Sequence, residues 1–147
     1  MQSGTEIVID PQTGTLHMPG GKLIAPKELF GKVQDMALGE KQEFTDMDNG
    51  WVWLSERNVQ VGGQYFILSF GFFYGVLRMV HMLIGSRPYS LESLGLEDWS
   101  EEEQLERARY YHEWLDSQVG PQREFPWGNI WSGYDAQSKG SSIIIRY

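Results

Sequence analysis

The sequence predicts an α+β fold in a single domain: a mainly antiparallel β-sheet packed by a main helix near residues 101–118 and a short helix near 27–36. The length of 147 residues fits one domain and is sufficient to bury a hydrophobic core. Alternating, strand-like segments separated by turn-forming residues fill most of the chain. A helix-capping pattern opens the main helix. These three observations carry the prediction.

The first third of the chain combines a hairpin with the short helix. Residues 6–18 contain two short apolar runs on either side of a turn at Pro11–Gly14. Pro26 suits the first turn of a helix, which predicts that a short helix follows it. Its apolar face would consist of Leu29, Phe30, Val33 and Met36.

Residues 39–50 are predicted to be a polar connection that leads into the sheet. The alternation over Trp51–Glu56 is typical of a strand. After a turn at Arg57-Asn58, residues 59–61 are expected to extend that strand or to re-enter the sheet.

Residues 65–84 form a twenty-residue apolar run interrupted by Arg78 and His81. Twenty apolar residues could span a bilayer. The charge at Arg78, the internal glycines and the many aromatic and β-branched residues favour two long strands joined near Tyr74-Gly75. A helix over 76–84 remains an alternative, because the apolar residues there also fit a helical spacing.

The main helix is predicted from Ser100 as its N-cap, with Glu103 three residues later and a stop at Gly120-Pro121. On a helical wheel the core face would consist of Leu105, Ala108, His112, Leu115 and Val119, and Tyr110 and Trp114 would lie nearly opposite. After residues 127–131 and a polar connection, a strand is predicted over 141–147.

Composition restricts the classes of function. The formal net charge is −8 and the sequence pI is near 4.8, which disfavours binding to nucleic acid or to anionic membranes. The absence of cysteine excludes disulfides and thiolate metal sites. The histidines lack the spacing of a metal site and the sequence contains no nucleophile motif, so no catalytic or metal centre and no cofactor is expected. The N-terminal residues do not resemble a signal peptide, so a cytoplasmic location is expected.

The strongest functional signal is the concentration of carboxylates and aromatic rings around the main helix. Acidic residues in the first helical turn are explained by the helix dipole, whereas those that continue along one flank are not. This pattern predicts a surface that binds a basic protein, although a solvated helix face is the simpler interpretation. The proposed partner-binding residues are Asp98, Trp99, Glu102, Glu106, Glu113, Asp116, Trp131 and Tyr134.

The C-terminal quarter, residues 127–147, reads W-G-N-I-W-S-G-Y-D…S-S-I-I-I-R-Y and follows an acid-led helix. In this general character the chain resembles small bacterial immunity proteins of polymorphic toxin systems, which act in contact-dependent or type VI secretion. The resemblance implies a cytoplasmic protein that binds and neutralises a cognate toxin domain. An acidic inhibitor would suit a basic target such as a nuclease.

Two other classes of function remain open from the sequence. One is a small hydrolase or carbohydrate-active protein that uses two carboxylates in an aromatic cleft. The other is a structural subunit that pairs with another chain through an edge strand at 141–147. A homodimer is also possible, with the 64–84 hairpin as a candidate surface.

Overall fold

The computed structural model describes residues 6–91 and 100–147. Seven of its strands form one antiparallel sheet in the order β4-β5-β6-β7-β10-β9-β8. This confirms the predicted α+β fold and its antiparallel sheet. The strands are β4 (Lys41–Asp46), β5 (Trp51–Val61), β6 (Gln64–Phe73), β7 (Val76–Gly85), β8 (Glu124–Phe125), β9 (Gly128–Asp135) and β10 (Gly140–Arg146).

A smaller, three-stranded sheet precedes the large one. It consists of β1 (Val8–Ile9), β2 (Leu16–Met18) and β3 (Lys22–Ile24), which confirms the predicted N-terminal hairpin. A 3-10 turn at Pro19–Gly21 separates the second and third of these strands.

The short helix α1 (Phe30–Met36) begins three residues later than the sequence predicts. Leu29 is extended instead of helical, because it forms an isolated β-bridge with Val76. The backbone of Phe30 also donates a hydrogen bond of 3.0 Å to the carbonyl of Gly75. Pairing with the sheet therefore outweighs the helix-initiating position of Pro26.

The apolar run at 65–84 forms the two longest central strands, β6 and β7, joined at Tyr74-Gly75 as predicted. The alternative helix over 76–84 is wrong. Within the described residues, no helix is both long enough and apolar enough to cross a membrane.

Two parts of the sheet differ from the prediction. Residues 41–46, predicted as a polar connection, pair with β5 as the edge strand β4. The predicted turn at Arg57-Asn58 is a β-bulge, so β5 continues without interruption to Val61. Asn58 has a left-handed φ of 59° there, and its side chain bonds both the N–H and the carbonyl of Tyr89 at 2.7 and 2.9 Å. This long-range contact holds the bulge in place.

Strand β10 is a central strand and not the edge strand that the sequence suggested. It pairs with β9 along its whole length and with β7 over Ile143–Arg146. Ile143 and Ile145 are fully buried, and Ile144 between them is half-buried. Since β7 and β9 occupy its two edges, β10 is not available for pairing with another chain. The free edges of the described sheet belong to β4 and β8.

The hydrophobic core lies on one face of the large sheet, here called the inner face. Both helices and the small sheet contribute to it. Its sheet residues share one side of the ladder, because cross-strand partners point to the same face. They include Leu54, Phe66, Leu68, Phe70, Phe72, Val80, Met82, Ile84, Ile143 and Ile145.

The main helix α2 (Glu101–Val119) has nearly the predicted bounds, but its core face is rotated from the predicted one. The buried residues are Gln104, Tyr111 and Leu115, whereas Leu105 is 46% exposed. At 100° per residue, the observed core direction differs from the predicted one by roughly 80°. Trp114, predicted to face away from the core, packs edge-on against Phe66 with ring centroids 6.0 Å apart; His112, predicted on the core face, is exposed.

Hydrogen bonds from α2 to strand backbones explain this rotation. Ile84 lies beyond the paired part of β7 and β10, and the hydroxyl of Tyr111 accepts a hydrogen bond of 3.1 Å from its N–H. The Gln104 side-chain oxygen accepts one of 2.8 Å from the N–H of Ser141 in β10. Gln118 accepts a hydrogen bond from the N–H of Ile9 in β1 and donates one to the carbonyl of Ile7 just before that strand. These side chains satisfy backbone groups that would otherwise be buried without partners.

Replacing Tyr111 with phenylalanine should lower the free energy of unfolding by about 1–3 kcal/mol, because it leaves the buried Ile84 N–H without its partner. Chemical denaturation would measure the change. Tyr110→Phe is the matched control: Tyr110 is its neighbour but is exposed. Equal loss in both variants would show that the hydroxyl of Tyr111 does not hold the helix.

The opposite, outer face of the sheet carries a half-buried histidine among rings. The His81 ring meets Trp53 edge-on, with centroids 5.2 Å apart, and its Nε2 lies 3.3 Å from the sulfur of Met79. Burial, together with the charge of Arg146, lowers the pKa of His81 below its usual 6.5. The unfolded chain therefore binds a proton at this residue more readily than the folded chain.

A histidine with a lowered pKa contributes stability at neutral pH that is lost as the pH falls through the histidine range. We expect wild-type protein to lose more unfolding free energy between about pH 7 and about pH 5 than His81→Gln does. Urea midpoints at the two pH values would measure this difference. His17→Gln, which changes an exposed histidine, should behave as the wild type does. The same pH response in all three proteins would contradict the assignment to His81.

Candidate functional site

The predicted capping box starts α2 and fixes its first turn. The Ser100 hydroxyl accepts a hydrogen bond of 3.1 Å from the N–H of Glu103, and the Glu103 carboxylate accepts one of 3.1 Å from the N–H of Ser100. The helix is thus fixed at its start by this box and along its length by the bonds from Gln104, Tyr111 and Gln118. Its exposed side chains project from a rigid support.

Four of the predicted partner-binding residues lie together on the exposed side of α2. Glu102, Glu106, Glu113 and Asp116, here called the acidic ridge, are all exposed. At 100° per residue they lie within roughly 40° of the direction opposite Tyr111. They therefore point away from the core, because the observed core face is rotated from the predicted one. The ridge is convex, since it runs along the outside of a helix.

The ridge carboxylates differ in their ion pairs. Asp116 lies 2.7 Å from the guanidinium of Arg123 and 3.8 Å from His112. No described cation lies within 4.0 Å of Glu102, Glu106 or Glu113. The negative charge that is free to meet a partner is therefore concentrated in these three residues.

The structure separates two of the three predicted aromatic anchors, Trp131 and Tyr134. Tyr134 lies on the inner side of β9, where its hydroxyl donates a weak hydrogen bond of 3.4 Å to Glu101, beside the ridge. Trp131 pairs with Ile144 and lies on the outer face of the sheet, 39% exposed. It is not part of the ridge. Asp98 and Trp99 fall outside the described residues.

Two side chains that the sequence did not assign to this surface flank the ridge. Leu105 is 46% exposed and Tyr110 is 37% exposed, on opposite sides of the row of carboxylates. Leu105 had been placed in the core, because its spacing with Leu115 and Val119 is helical. The signal that could have indicated the correct core face is the presence of Tyr111 and Trp114, because burying these two rings removes more apolar area from water than burying Leu105 does.

A cavity of about 380 Å³ opens beside the ridge, between the first half of α2 and the end of β7. Glu103 and Glu106 both line it, as do Arg107 and Tyr110. The Glu103 carboxylate is held by Ser100, and Arg107 donates to the carbonyl of Ile84. Glu106 is thus the lining carboxylate that has no hydrogen bond or ion pair to a described residue. This arrangement offers one acceptor for a cationic side chain at the edge of the ridge.

Within the described residues, no group of three or more His, Asp or Glu side chains is placed to hold a metal ion. Asp46 at the end of β4 and Asp48 in the turn after it form a D-x-D pair, in which the Asp46 carboxylate accepts a hydrogen bond of 2.9 Å from the N–H of Asp48. This bond accounts for their spacing without a ligand.

Comparison with protein-family models, with curated proteins and with solved structures found no match to this chain.

Proposed function

We propose that this chain is a protein-binding module whose acidic ridge binds a basic protein. In its most concrete form it is an immunity protein that neutralises a cognate toxin domain in the cytoplasm. The observation that carries the proposal is the outward row of Glu102, Glu106 and Glu113, three carboxylates without a described cation partner.

The row is unfavourable for the isolated chain, and a cationic partner would relieve it. Glu102 and Glu106 are four residues apart on the helix, and like charges at this spacing cost about 0.2–0.5 kcal/mol. Two carboxylates outside α2 have a nearby cation, since Lys32 lies 3.5 Å from Glu28 and Lys41 lies 3.8 Å from Glu43. Glu102, Glu106 and Glu113 have no such described partner on the exposed side of α2.

The residues beside the row fit a protein partner better than a small cation. Leu105 and Tyr110 add exposed apolar area on either side of the carboxylates. Tyrosine is enriched among residues that dominate binding energy, and a charged rim steers the partner during association. The rigid attachment of α2 to the sheet limits the conformational entropy that would be lost on binding.

The immunity role rests on the resemblance of residues 127–147 and on the overall charge. A net charge of −8 suits a basic toxin domain such as a nuclease. In this role the ridge would cover part of the surface with which the toxin acts on its substrate.

Affinity capture tests the proposal. The tagged chain would be incubated with lysate of its source organism, washed at low and then high salt, and the bound proteins identified by mass spectrometry. We expect one stoichiometric basic protein that is released as the Debye length falls from about 10 Å at 0.1 M salt to about 3 Å at 1 M. Capture of no basic protein from a lysate that contains the toxin would contradict the proposal.

A further inference from the structure

The outer face of the large sheet carries a second surface, which consists of aromatic rings and arginines and thus differs from the acidic ridge. The ladder places Trp53, Gly71, Met79 and Arg146 in one row across four strands. Both helices pack on the other side of the sheet. Residues 89–91 reach the outer face at its far end, where Arg57 donates to the carbonyl of Ser90 and Lys41 to that of Leu91.

At the opposite end of this face from residues 89–91, aromatic rings pack against one another. Trp51 and Trp53 stack with centroids 6.1 Å apart and an interplanar angle of 15°. Trp53 lies across Gly71, where a Cβ atom would come within 2.8 Å of the indole ring. Phe73 packs against Trp51 at 5.4 Å. Because these contacts fix the rings before any ligand arrives, little conformational entropy would be lost on binding.

A shallow cavity of about 260 Å³ lies against these rings. This volume is below the roughly 300–1,000 Å³ of sites for drug-sized ligands, so it suits a ligand of one or two rings. Apolar and aromatic side chains form most of its wall, and two arginines complete it. The lining residues are Trp51, Phe73, Arg78, Met79, Arg146 and Tyr147, here called the aromatic–arginine pocket.

The two arginines are the unusual part of this pocket. Both are exposed, and no described carboxylate lies within 4.0 Å of either. In a chain with 20 acidic and 12 basic residues, Lys32, Lys41 and Arg123 have such partners. Arg78 sits in the bulge where the pairing of β6 and β7 shifts, which places an additional residue beside Arg146. Two cations without counterions therefore line an apolar cavity.

We propose that the aromatic–arginine pocket binds a small aromatic anion, with its ring against Trp51, Phe73 and Met79 and its acidic group at Arg78 and Arg146. Guanidinium groups bind carboxylates, sulfonates and phosphates through charge-assisted hydrogen bonds, and the apolar wall favours a flat ring over a simple inorganic ion. The site is separate from the acidic ridge, which lies on the other side of the sheet. It does not depend on the proposed function.

The test uses naphthalenesulfonate as the anion and naphthalenesulfonamide as its uncharged analogue of the same shape. Isothermal titration would give the affinities, and the indole N–H signals of Trp51 and Trp53 in ¹H–¹⁵N spectra would locate the ligand. We expect naphthalenesulfonate to bind with a Kd below about 1 mM and to shift the Trp51 signal. The sulfonamide should bind at least about tenfold more weakly.

The double variant Arg78→Gln/Arg146→Gln should lose the preference for the anion. The matched control Arg87→Gln/Arg109→Gln removes two exposed arginines elsewhere and should keep it. Because all four residues are exposed, the fold should survive in both variants, which the ¹H–¹⁵N spectra would verify. Sulfonate binding weaker than about 1 mM, equal binding of the sulfonamide, or unchanged binding by the Arg78/Arg146 variant would each overturn the proposal.

Discussion

Replacing Glu102, Glu106 and Glu113 together with lysine should abolish binding of the basic partner while the fold persists. Each substitution turns a −1 into a +1, so the formal net charge becomes −2 instead of −8. Attraction at the ridge becomes repulsion, and truncation of buried interfacial charge pairs already costs about 2–5 kcal/mol. We expect the affinity to fall by at least about 100-fold, measured by surface plasmon resonance against the captured partner. Circular dichroism and thermal unfolding should remain close to wild type, because all three side chains are exposed.

A control of equal charge separates the ridge from the general field of the protein. Asp35, Glu43 and Glu124 are exposed and lie outside α2, and replacing them with lysine also gives a net charge of −2. This variant should lose association rate through weaker steering but keep most of the affinity. Equal loss of affinity in both triple variants would mean that total charge, and not the ridge, determines binding.

The orientation of α2 shows how far sequence reasoning reached at the site. The start, the end and the capping box could be predicted, because each depends on residues within one turn of the helix. The core face could not, because it depends on backbone groups of distant strands. Tyr111 bonds Ile84, and Gln104 bonds Ser141, 37 residues away. Gln104 is buried although it is polar, because its side chain replaces a missing ladder bond at Ser141.

Two strands were predicted wrongly, β4 as a connection and β10 as an edge strand, and only one of the two errors could have been avoided from the sequence. The charged residues of β4 lack the apolar alternation of a buried strand, as is common at a sheet edge. Its pairing with β5 is a tertiary contact that the local pattern does not encode. In contrast, the three consecutive isoleucines of β10 could have indicated a central strand, since edge strands commonly carry charged residues instead.

The separation of Trp131 from Tyr134 follows from strand geometry alone. The two residues are three apart on β9, so they point to opposite faces of the sheet. Proximity in sequence had suggested one aromatic cluster beside the acids. The structure instead divides the aromatic residues between the core, positions beside the ridge and the outer face, where Trp51 and Trp53 form the better-defined surface. Their position could not be read from the sequence, because it depends on the missing side chain of Gly71 on the neighbouring strand.

Replacing Gly128 with alanine should be among the most destabilising single substitutions in this chain. A Cβ atom there would lie 1.8 Å from the carbonyl oxygen of Arg146, which belongs to the backbone of the paired strand β10. The backbone φ of Gly128 is also +156°, a value that residues with a side chain rarely adopt. Relief would require β9 and β10 to separate, so we expect a loss of at least about 3 kcal/mol and a Tm lower by roughly 6–12 °C.

Gly63→Ala is the matched control, because a Cβ atom at Gly63 would meet nothing within 4 Å. Its stability should stay within about 1 kcal/mol of wild type, as scanning calorimetry would measure. Equal Tm values for the two variants would contradict the close approach of β9 and β10.

If Gly128 behaves as expected, a strand contact explains one residue of the W-G-N-I-W segment. The adjacent Trp127 is likewise used internally, since it stacks on Phe125 at 4.8 Å and donates to the carbonyl of Pro11. These residues of the segment that resembles immunity proteins would then serve the packing of the protein itself, and binding of a partner would depend on the exposed residues of α2.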